Sequence, residues 1–224
     1  MVKDNILKIR HAIAEISSAK GGRADNITIV AVSKGRGVDR IKEAVEAGIT
    51  DIGENRVQEA ASKYNELSAI RPAVKWHMVG HLQTNKVKEA VRIFDLIHSV
   101  DSLRLAEEIN RQALKINKSQ DILIEVNISG EESKYGIRPE AAGALIRVVS
   151  ELKNIRLLGF MTVAPVADNA ERSRVYFRML RELRDKSAVS EGALPILSMG
   201  MTDDFRAAVE EGSNMVRIGR AIFE

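Results

Sequence analysis

Apolar residues recur along this chain in two alternating patterns. Short runs rich in Val, Ile and Leu have the length and composition of buried strands. The stretches between them carry apolar residues three and four positions apart, which is typical of amphipathic helices. The eight runs that predict strands cover residues 27–33, 50–53, 74–80, 94–100, 121–128, 155–163, 195–200 and 214–219.

The helical pattern is clearest at the start of the chain. One face of a predicted first helix carries four isoleucines, Ile6, Ile9, Ile13 and Ile16. The pair Gly21-Gly22 is expected to end this helix, because glycine is a weak helix former. In a later predicted helix, Thr202 is the expected N-cap and Gly212 follows the last turn. The helices predicted after the first one include residues 38–48, 102–116, 138–152 and 201–212.

The order of these elements predicts the fold class. Strands that alternate with helices form parallel sheets. Eight such units on 224 residues match an α/β fold, a closed (β/α)8 TIM barrel at the short end of its usual size range. An open doubly wound sheet is the alternative, and the pattern favours the barrel. No linker or repeat divides the chain, so residues 1–224 are expected to form a single domain.

Composition and charge exclude several classes of function. The 34 basic and 31 acidic residues nearly balance, and five Phe, three Tyr and one Trp offer little surface for base stacking, so no nucleic-acid partner is expected. No apolar run could span a bilayer and the N-terminus is not a signal peptide, so a cytoplasmic protein without membrane contact is expected. There is no cysteine, and His77 and His81 complete no zinc pattern, so no metal is expected.

An isolated lysine ends the first predicted strand, "ITIVAVS", where the carboxyl ends of barrel strands form the functional face. Apolar surroundings disfavour the charged form of a lysine such as Lys34, and the neutral amine can form a Schiff base with a carbonyl. The alternatives are a lysine that extends its amine to water, or an ion pair of Lys34 with Glu54 or Asp51. The spacing alone does not decide between them.

Glycines follow the last two strands, in "SMGMT" (198–202) and "RIGR" (217–220). The loops at this place form the recurrent phosphate site of such barrels. Gly200 and Gly219 would allow close backbone approach and Ser198 would donate a hydroxyl, although either glycine alone could be a plain turn residue. Asp203 and Asp204 count against an anion. Taken with Lys34, the pattern predicts a ligand with a phosphate and a carbonyl, which suits a sugar-phosphate aldolase or a protein that binds pyridoxal 5′-phosphate (PLP).

Six motifs bring the chain close to one known family. The chain resembles the YggS/PROSC family of PLP homeostasis proteins nearly from end to end, with the motifs in family order. They are "VAVSK", which ends at Lys34, "IGENRVQE" (52–59), "WHMVGHLQTNKVK" (76–88), "VNISGEESKYG" (126–136), "GFMTVAP" (159–165) and "LSMGMTDDFRAAVEEGSNMVRIGRAIF" (197–223).

The resemblance implies a fold-type III barrel of the alanine racemase N-terminal kind, with PLP held as a Schiff base on Lys34. It also implies that Arg217 faces the pyridine nitrogen, and that Asn55 and His81 lie near the ring. By the same motif match, the phosphate would be held by three residues, Ser198, Gly200 and Gly219. The chain departs from many relatives at "KGR", where Lys-Thr-Lys is common, and at Arg220, where a threonine is common.

The resemblance implies that the chain acts in intracellular PLP homeostasis and carriage, without dedicated catalytic turnover. An arginine keeps its proton in a protein, so Arg217 would leave the pyridine nitrogen neutral and weaken carbanion stabilisation. Racemases of this barrel type also use a second base from another domain. A small amino-acid racemase stays the alternative, with Tyr64 and Tyr135 as the tyrosines expected near the ligand. A protein-interaction module is the other alternative. The expected partners are PLP and the apo forms of PLP-dependent enzymes. The chain is expected to be a monomer.

Overall fold

The computed structural model describes residues 1–19, 21, 24–165, 169–187 and 194–224. Gly22, one of the two glycines expected to end the first helix, lies outside these residues. All eight predicted strands are confirmed, with ends that lie within a few residues of the prediction. They are β1 (Thr28–Val32), β2 (Asp51–Glu54), β3 (Lys75–Met78), β4 (Leu96–Val100), β5 (Gln120–Glu125), β6 (Ile155–Met161), β7 (Ile196–Ser198) and β8 (Met215–Ile218).

The described residues also form nine α-helices, which mostly follow the strands one by one. They are α1 (Val2–Ala19), α2 (Val38–Glu46), α3 (Val57–Glu66), α4 (Val87–Ile93), α5 (Leu103–Lys115), α6 (Ala142–Ser150), α7 (Glu171–Ser187), α8 (Phe205–Glu210) and α9 (Arg220–Phe223). No helix among the described residues is long and apolar enough to span a membrane.

The strands close into a barrel. Each strand pairs in parallel with the next, and β8 pairs with β1 to complete the circle. The predicted closed barrel is therefore confirmed, and the open sheet is wrong. In the closing pair Val30 lies opposite Arg217. Because all the strands run in the same direction, their carboxyl ends meet at one face, which we call the barrel mouth.

Two apolar layers support the barrel. The large layer lies between the strands and the helices, and it includes the predicted isoleucine face of α1, which is buried. The smaller layer is a separate cluster of residues from five of the strands. Its buried members are Val30, Leu96, Leu123, Met161 and Met215. Buried polar side chains also enter the interior, among them Asp51, His98 and Arg217.

The helix after β7 begins later than the sequence predicts. Thr202 is not its N-cap, because α8 starts at Phe205 and Asp204 occupies the N-cap position. Asp204 Oδ1 accepts a hydrogen bond from the backbone N of Met201 at 2.6 Å, and this bond folds the preceding residues into a turn. The end of α8 agrees with the prediction, since Gly212 follows it at a φ of 99°.

Candidate ligand site at the barrel mouth

Lys34 lies two residues beyond β1, in a turn with Gly35 at a φ of 68°. It follows the carboxyl end of β1, so it lies at the barrel mouth. The Lys34 side chain is exposed, so the expectation that apolar surroundings keep it from water is wrong. The alternative ion pair is also wrong, because Glu54 binds a different lysine and Asp51 binds a histidine.

A buried lysine, Lys63 of α3, holds the turn that carries Lys34. Its Nζ donates to the backbone oxygen of Ser33 at 2.7 Å, on one side of Lys34. It also donates to Glu59 Oε1 at 2.7 Å, and the same oxygen accepts from the backbone N of Gly35 at 2.6 Å, on the other side. Both neighbours of Lys34 are therefore fixed while its own side chain is exposed at the mouth.

Glu54, the last residue of β2, completes this cluster. Its side chain is fully buried, and Oε1 accepts from Lys63 Nζ at 2.7 Å and from Ser33 Oγ at 2.5 Å. Oε2 has no hydrogen-bond partner among the described residues. Burial raises the pKa of Glu54, and the bonds from Lys63 and Ser33 only partly oppose this. Loss of Lys63 would leave this carboxyl group without its counter-charge.

Arg217 of β8 lies inside the barrel with only 4% of its surface exposed. Its Nη1 donates to Ser198 Oγ at 2.7 Å, and its Nη2 donates to the backbone oxygen of Thr162 at 2.8 Å. Burial lowers the pKa of Arg217 to about 10, and the charges of Glu125 and Asp204 partly oppose this. The guanidinium is therefore a cation at neutral pH, held in a defined orientation.

Glu125 is a site residue that the sequence analysis missed. It ends β5, is 8% exposed, and faces the same interior space as Arg217. Burial raises the pKa of Glu125 to about 7; the charge of Arg217 acts against this and the charge of Asp101 acts with it. The signal was the one that singled out Lys34, an ionisable residue at the end of an apolar strand. Glu125 can therefore exchange a proton near neutral pH.

Two buried histidines connect Ser198 to the far end of the barrel. His98 Nδ1 lies 3.0 Å from Ser198 Oγ, and His98 Nε2 lies 2.9 Å from His77 Nδ1. His77 Nε2 lies 2.9 Å from Asp51 Oδ1. Burial, the proximity of His77 and the charge of Arg217 hold the pKa of His98 well below its usual range, so His98 is neutral.

Gly200, which follows β7, could not be replaced without strain. It has a φ of 92°, and a Cβ built there would lie 2.5 Å from Ala208 Cβ. Gly219, which follows β8, would place a Cβ 3.1 Å from the backbone oxygen of Val32. The missing side chain of Gly219 brings the loop after β8 close to the end of β1, and that of Gly200 lets the loop after β7 pack against α8.

The remaining polar residues of these loops pair with one another. Thr202 Oγ1 accepts from the backbone N of Ala221 at 3.3 Å, which ties the loop after β7 to the start of α9. Arg220, which stands where many relatives have a threonine, pairs with Asp203 at the surface. The acidic residue that counted against an anion site therefore has a counter-charge of its own.

Asn55 and His81 lie on the neighbouring loops of the mouth. Asn55 is half-buried and follows β2; a Cβ on Gly80 would lie 2.4 Å from its backbone oxygen, so a glycine is needed for this close contact. His81 stacks on Tyr135 with ring centroids 3.8 Å apart, and its Nδ1 lies 3.5 Å from Asp101 Oδ2. Tyr135 is therefore at the mouth as expected.

Tyr64 is not at the mouth, contrary to expectation. Its ring packs edge-on against Trp76 with centroids 5.5 Å apart and lies under the guanidinium of Arg71. These neighbours, at the amino end of β3, put Tyr64 at the opposite end of the barrel. The Ser198 hydroxyl contacts Arg217 and His98 in the interior.

Comparison with known proteins places this chain in a family. The alanine racemase N-terminal domain model matches residues 5–224. The PLP homeostasis protein of Aquifex aeolicus is 46% identical over 206 residues, which cover 91% of this chain and 90% of the relative. This chain belongs to the PLP homeostasis protein family. The family's Pseudomonas aeruginosa member is 37% identical, over 99% of this chain and 94% of its own.

Solved structures agree with the fold. PipY of Synechococcus elongatus PCC7942, solved with PLP bound, is 34% identical with a TM-score of 0.81, over 95% of this chain and all of its own. An alanine racemase from Clostridium difficile 630 matches with a TM-score of 0.72 at 17% identity. That match covers 99% of this chain but only 56% of the racemase, and it shows a shared fold alone.

Proposed function

We propose that this chain binds PLP at the barrel mouth and acts in PLP homeostasis and carriage, without dedicated catalytic turnover. The observation that carries the proposal is the convergence, at one end of one barrel, of an exposed amine, a buried guanidinium and two close-packed glycine turns. The relative PipY, which was solved with PLP bound, has the same fold. The unit that binds PLP in this proposal is a single domain over residues 1–224.

The residues at the mouth fit the chemical groups of PLP. Lys34 supplies an amine for the aldehyde, and its exposed side chain makes no competing ion pair among the described residues. The turns at Gly200 and Gly219 would offer backbone N–H groups to the phosphate; a Cβ would meet Ala208 at the first turn and the backbone oxygen of Val32 at the second. Arg217 presents a guanidinium to the pyridine nitrogen, and Asn55 and His81 border the ring.

Arg217 limits what the bound cofactor can do. PLP supplies an electron sink, most effectively when its pyridine nitrogen is protonated. The pKa of Arg217, about 10, leaves the guanidinium charged at neutral pH, and a charged donor keeps its proton. The nitrogen beside it therefore stays neutral, which suits a protein that holds PLP rather than one that turns over amino acids.

The exposure of Lys34 suits delivery. An amine that water can reach is also open to exchange with the amine of an incoming molecule. The backbone on both sides is held by Lys63 and Glu59, so the turn keeps its shape while the side chain reacts. A carrier requires this combination of a fixed loop and an accessible amine.

The racemase alternative has one observation in its favour. Glu125, with a pKa of about 7, is a proton-exchanging group in the same interior space, and Tyr135 lies at the rim. Incubation of the PLP-loaded chain with alanine or serine in deuterium oxide, followed by chiral analysis, separates the two functions. The proposal expects little inversion; inversion at about 1–10³ s⁻¹, the usual range for enzymes, would establish a racemase.

Carriage is tested by transfer. The PLP-loaded chain is separated from free PLP and mixed with an apo PLP-dependent enzyme, in the presence of a second protein that captures released PLP. The proposal expects the apo-enzyme to regain activity despite the trap. If the trap abolishes recovery, the chain does not deliver PLP directly. Contact with apo-enzymes, a monomeric state and a cytoplasmic location remain predictions from the sequence.

A further inference from the structure

Five side chains form one continuous hydrogen-bonded chain through the barrel, here called the interior chain: Arg217, Ser198, His98, His77 and Asp51. Its two ends carry opposite charges, the guanidinium near the mouth and the carboxylate at the amino end of β2. We propose that the interior chain positions Arg217 for the pyridine nitrogen, with every hydrogen pointing from the guanidinium towards Asp51. This inference rests on the proposed function.

The direction follows first from the carboxylate end. Asp51 is ionised, because hydrogen bonds from His77 and Thr50 outweigh the effect of its burial and lower its pKa. A carboxylate only accepts, so His77 Nε2 must carry a hydrogen. The proposal assigns His77 a single ring hydrogen, on Nε2, so that its Nδ1 is bare. That nitrogen accepts from His98 Nε2, 2.9 Å away.

The guanidinium end is compatible with this direction. An arginine only donates, so Ser198 Oγ accepts from Arg217. His98 is neutral and its Nε2 already carries the hydrogen, which leaves Nδ1 bare. The single hydroxyl hydrogen of Ser198 then points to that Nδ1, 3.0 Å away. The direction set at Asp51 therefore extends to Arg217 with every donor and acceptor used.

Two consequences follow. The first is that the guanidinium is held at two points, at Ser198 and at the backbone oxygen of Thr162, so its plane is fixed before a ligand arrives. Hydrogen bonds aligned in one direction polarise one another, which strengthens this hold. The second is that the Ser198 hydroxyl has no hydrogen left for a phosphate. Ser198 is therefore a positioning residue for Arg217 and not the phosphate contact that the sequence predicts.

The histidine tautomers test the direction without any cofactor. Long-range proton–nitrogen NMR spectra of the full ¹⁵N-labelled chain at pH 7.5 report which ring nitrogen of each histidine carries the hydrogen. We expect the Nε2–H form for both His77 and His98, assigned with His77→Gln and His98→Gln variants. The Lys34→Ala chain should give the same result. A hydrogen on His98 Nδ1 would reverse the direction and overturn the proposal.

Affinity for PLP tests the positioning role. His98→Leu removes both hydrogen bonds at the middle of the interior chain, and we expect PLP affinity to fall about 10- to 100-fold, as for loss of a bond to a charged group. His98→Gln keeps one donor and one acceptor and should recover part of the loss. His11→Leu, on the exposed face of α1, is the control. Wild-type affinity in His98→Leu would overturn the proposal.

A double-mutant cycle separates the two roles of Ser198. If Ser198 acts through Arg217, Ser198→Ala and His98→Leu break the same connection, and the double variant should bind PLP little worse than either single variant. Losses that add would assign Ser198 to an independent contact such as the phosphate, and would contradict the inference. If the wild-type chain binds no PLP, the proposed function fails, while the tautomers still decide the direction of the interior chain.

Discussion

Replacement of Lys63 by methionine should destabilise the protein far more than loss of a surface lysine. Lys63 Nζ makes three hydrogen bonds of 2.7 Å, and one of them serves a carboxyl group with no exposed surface, Glu54. Removal of one partner of a buried ion pair costs about 3–5 kcal/mol, because a buried charge is left alone. Because Glu59 is partly exposed and can be solvated by water, we expect about 3 kcal/mol.

This loss should depend on pH in a defined direction. Burial already raises the pKa of Glu54 in the wild type, and loss of Lys63 must raise it further. A group whose pKa is raised by folding stabilises the folded state at low pH, and this contribution is lost as the pH rises through the folded-state pKa. The Lys63→Met defect should therefore be smaller at pH 5, where Glu54 can fold as the neutral acid, than at pH 8.

The assay is urea unfolding followed by circular dichroism at pH 5 and pH 8. In thermal unfolding, a loss of about 3 kcal/mol would lower the melting temperature by about 6–12 °C for a chain of this size. Lys88→Met, an exposed lysine of α4, is the control and should change stability by less than about 0.5 kcal/mol. Glu54→Gln combined with Lys63→Met should recover part of the loss. The reasoning is refuted if Lys63→Met matches the control, or if its effect is equal at both pH values.

Two further predictions concern the effect of Gly200 and Glu125, both at the mouth, on the stability of the fold. Gly200→Ala should lower the free energy of unfolding by about 2 kcal/mol or more, because Gly200 has a positive φ and its new Cβ would lie 2.5 Å from Ala208 Cβ. The control is Gly143→Ala on α6, where a Cβ meets nothing within 4 Å; it should raise the free energy of unfolding by up to about 1 kcal/mol. Equal denaturation midpoints for the two would contradict this. Glu125→Gln should raise the free energy of unfolding, relative to wild type, more at pH 8 than at pH 5. The reason is that burial raises the pKa of Glu125 to about 7, so the ionised carboxylate destabilises the folded wild type at the higher pH. A difference between variant and wild type that does not depend on pH would contradict this.

The strand–helix order and the location of the site could be predicted because both depend on local signals. A strand pattern repeated eight times specifies a barrel, and in a barrel the residues that follow the strands must meet. The structure therefore has the predicted residues at the barrel mouth, namely Lys34, Gly200 and Gly219. Arg217 was placed near them by the family resemblance, and its buried position in β8 agrees.

The prediction was weaker where side chains from distant elements meet. The contact of His77 with His98 depends on the register between β3 and β4, which no local pattern reveals. The partner of Glu54 is Lys63 rather than Lys34 because α3 packs back across β2. The exposure of Lys34 follows from its position in a turn beyond the strand, and an apolar run alone does not show where pairing ends.

The central claim, that Lys34 holds PLP, is tested most directly by chemical trapping. The full chain is loaded with PLP, reduced with borohydride, digested and analysed by mass spectrometry. The account predicts the reduced cofactor on the peptide that contains Lys34, and no visible band of lysine-bound cofactor in Lys34→Ala. A control variant, Lys134→Ala, changes another lysine at the mouth, whose Nζ pairs with Glu131, and should keep the label on Lys34. Label mainly on another lysine, or a visible band that persists in Lys34→Ala, would contradict the account.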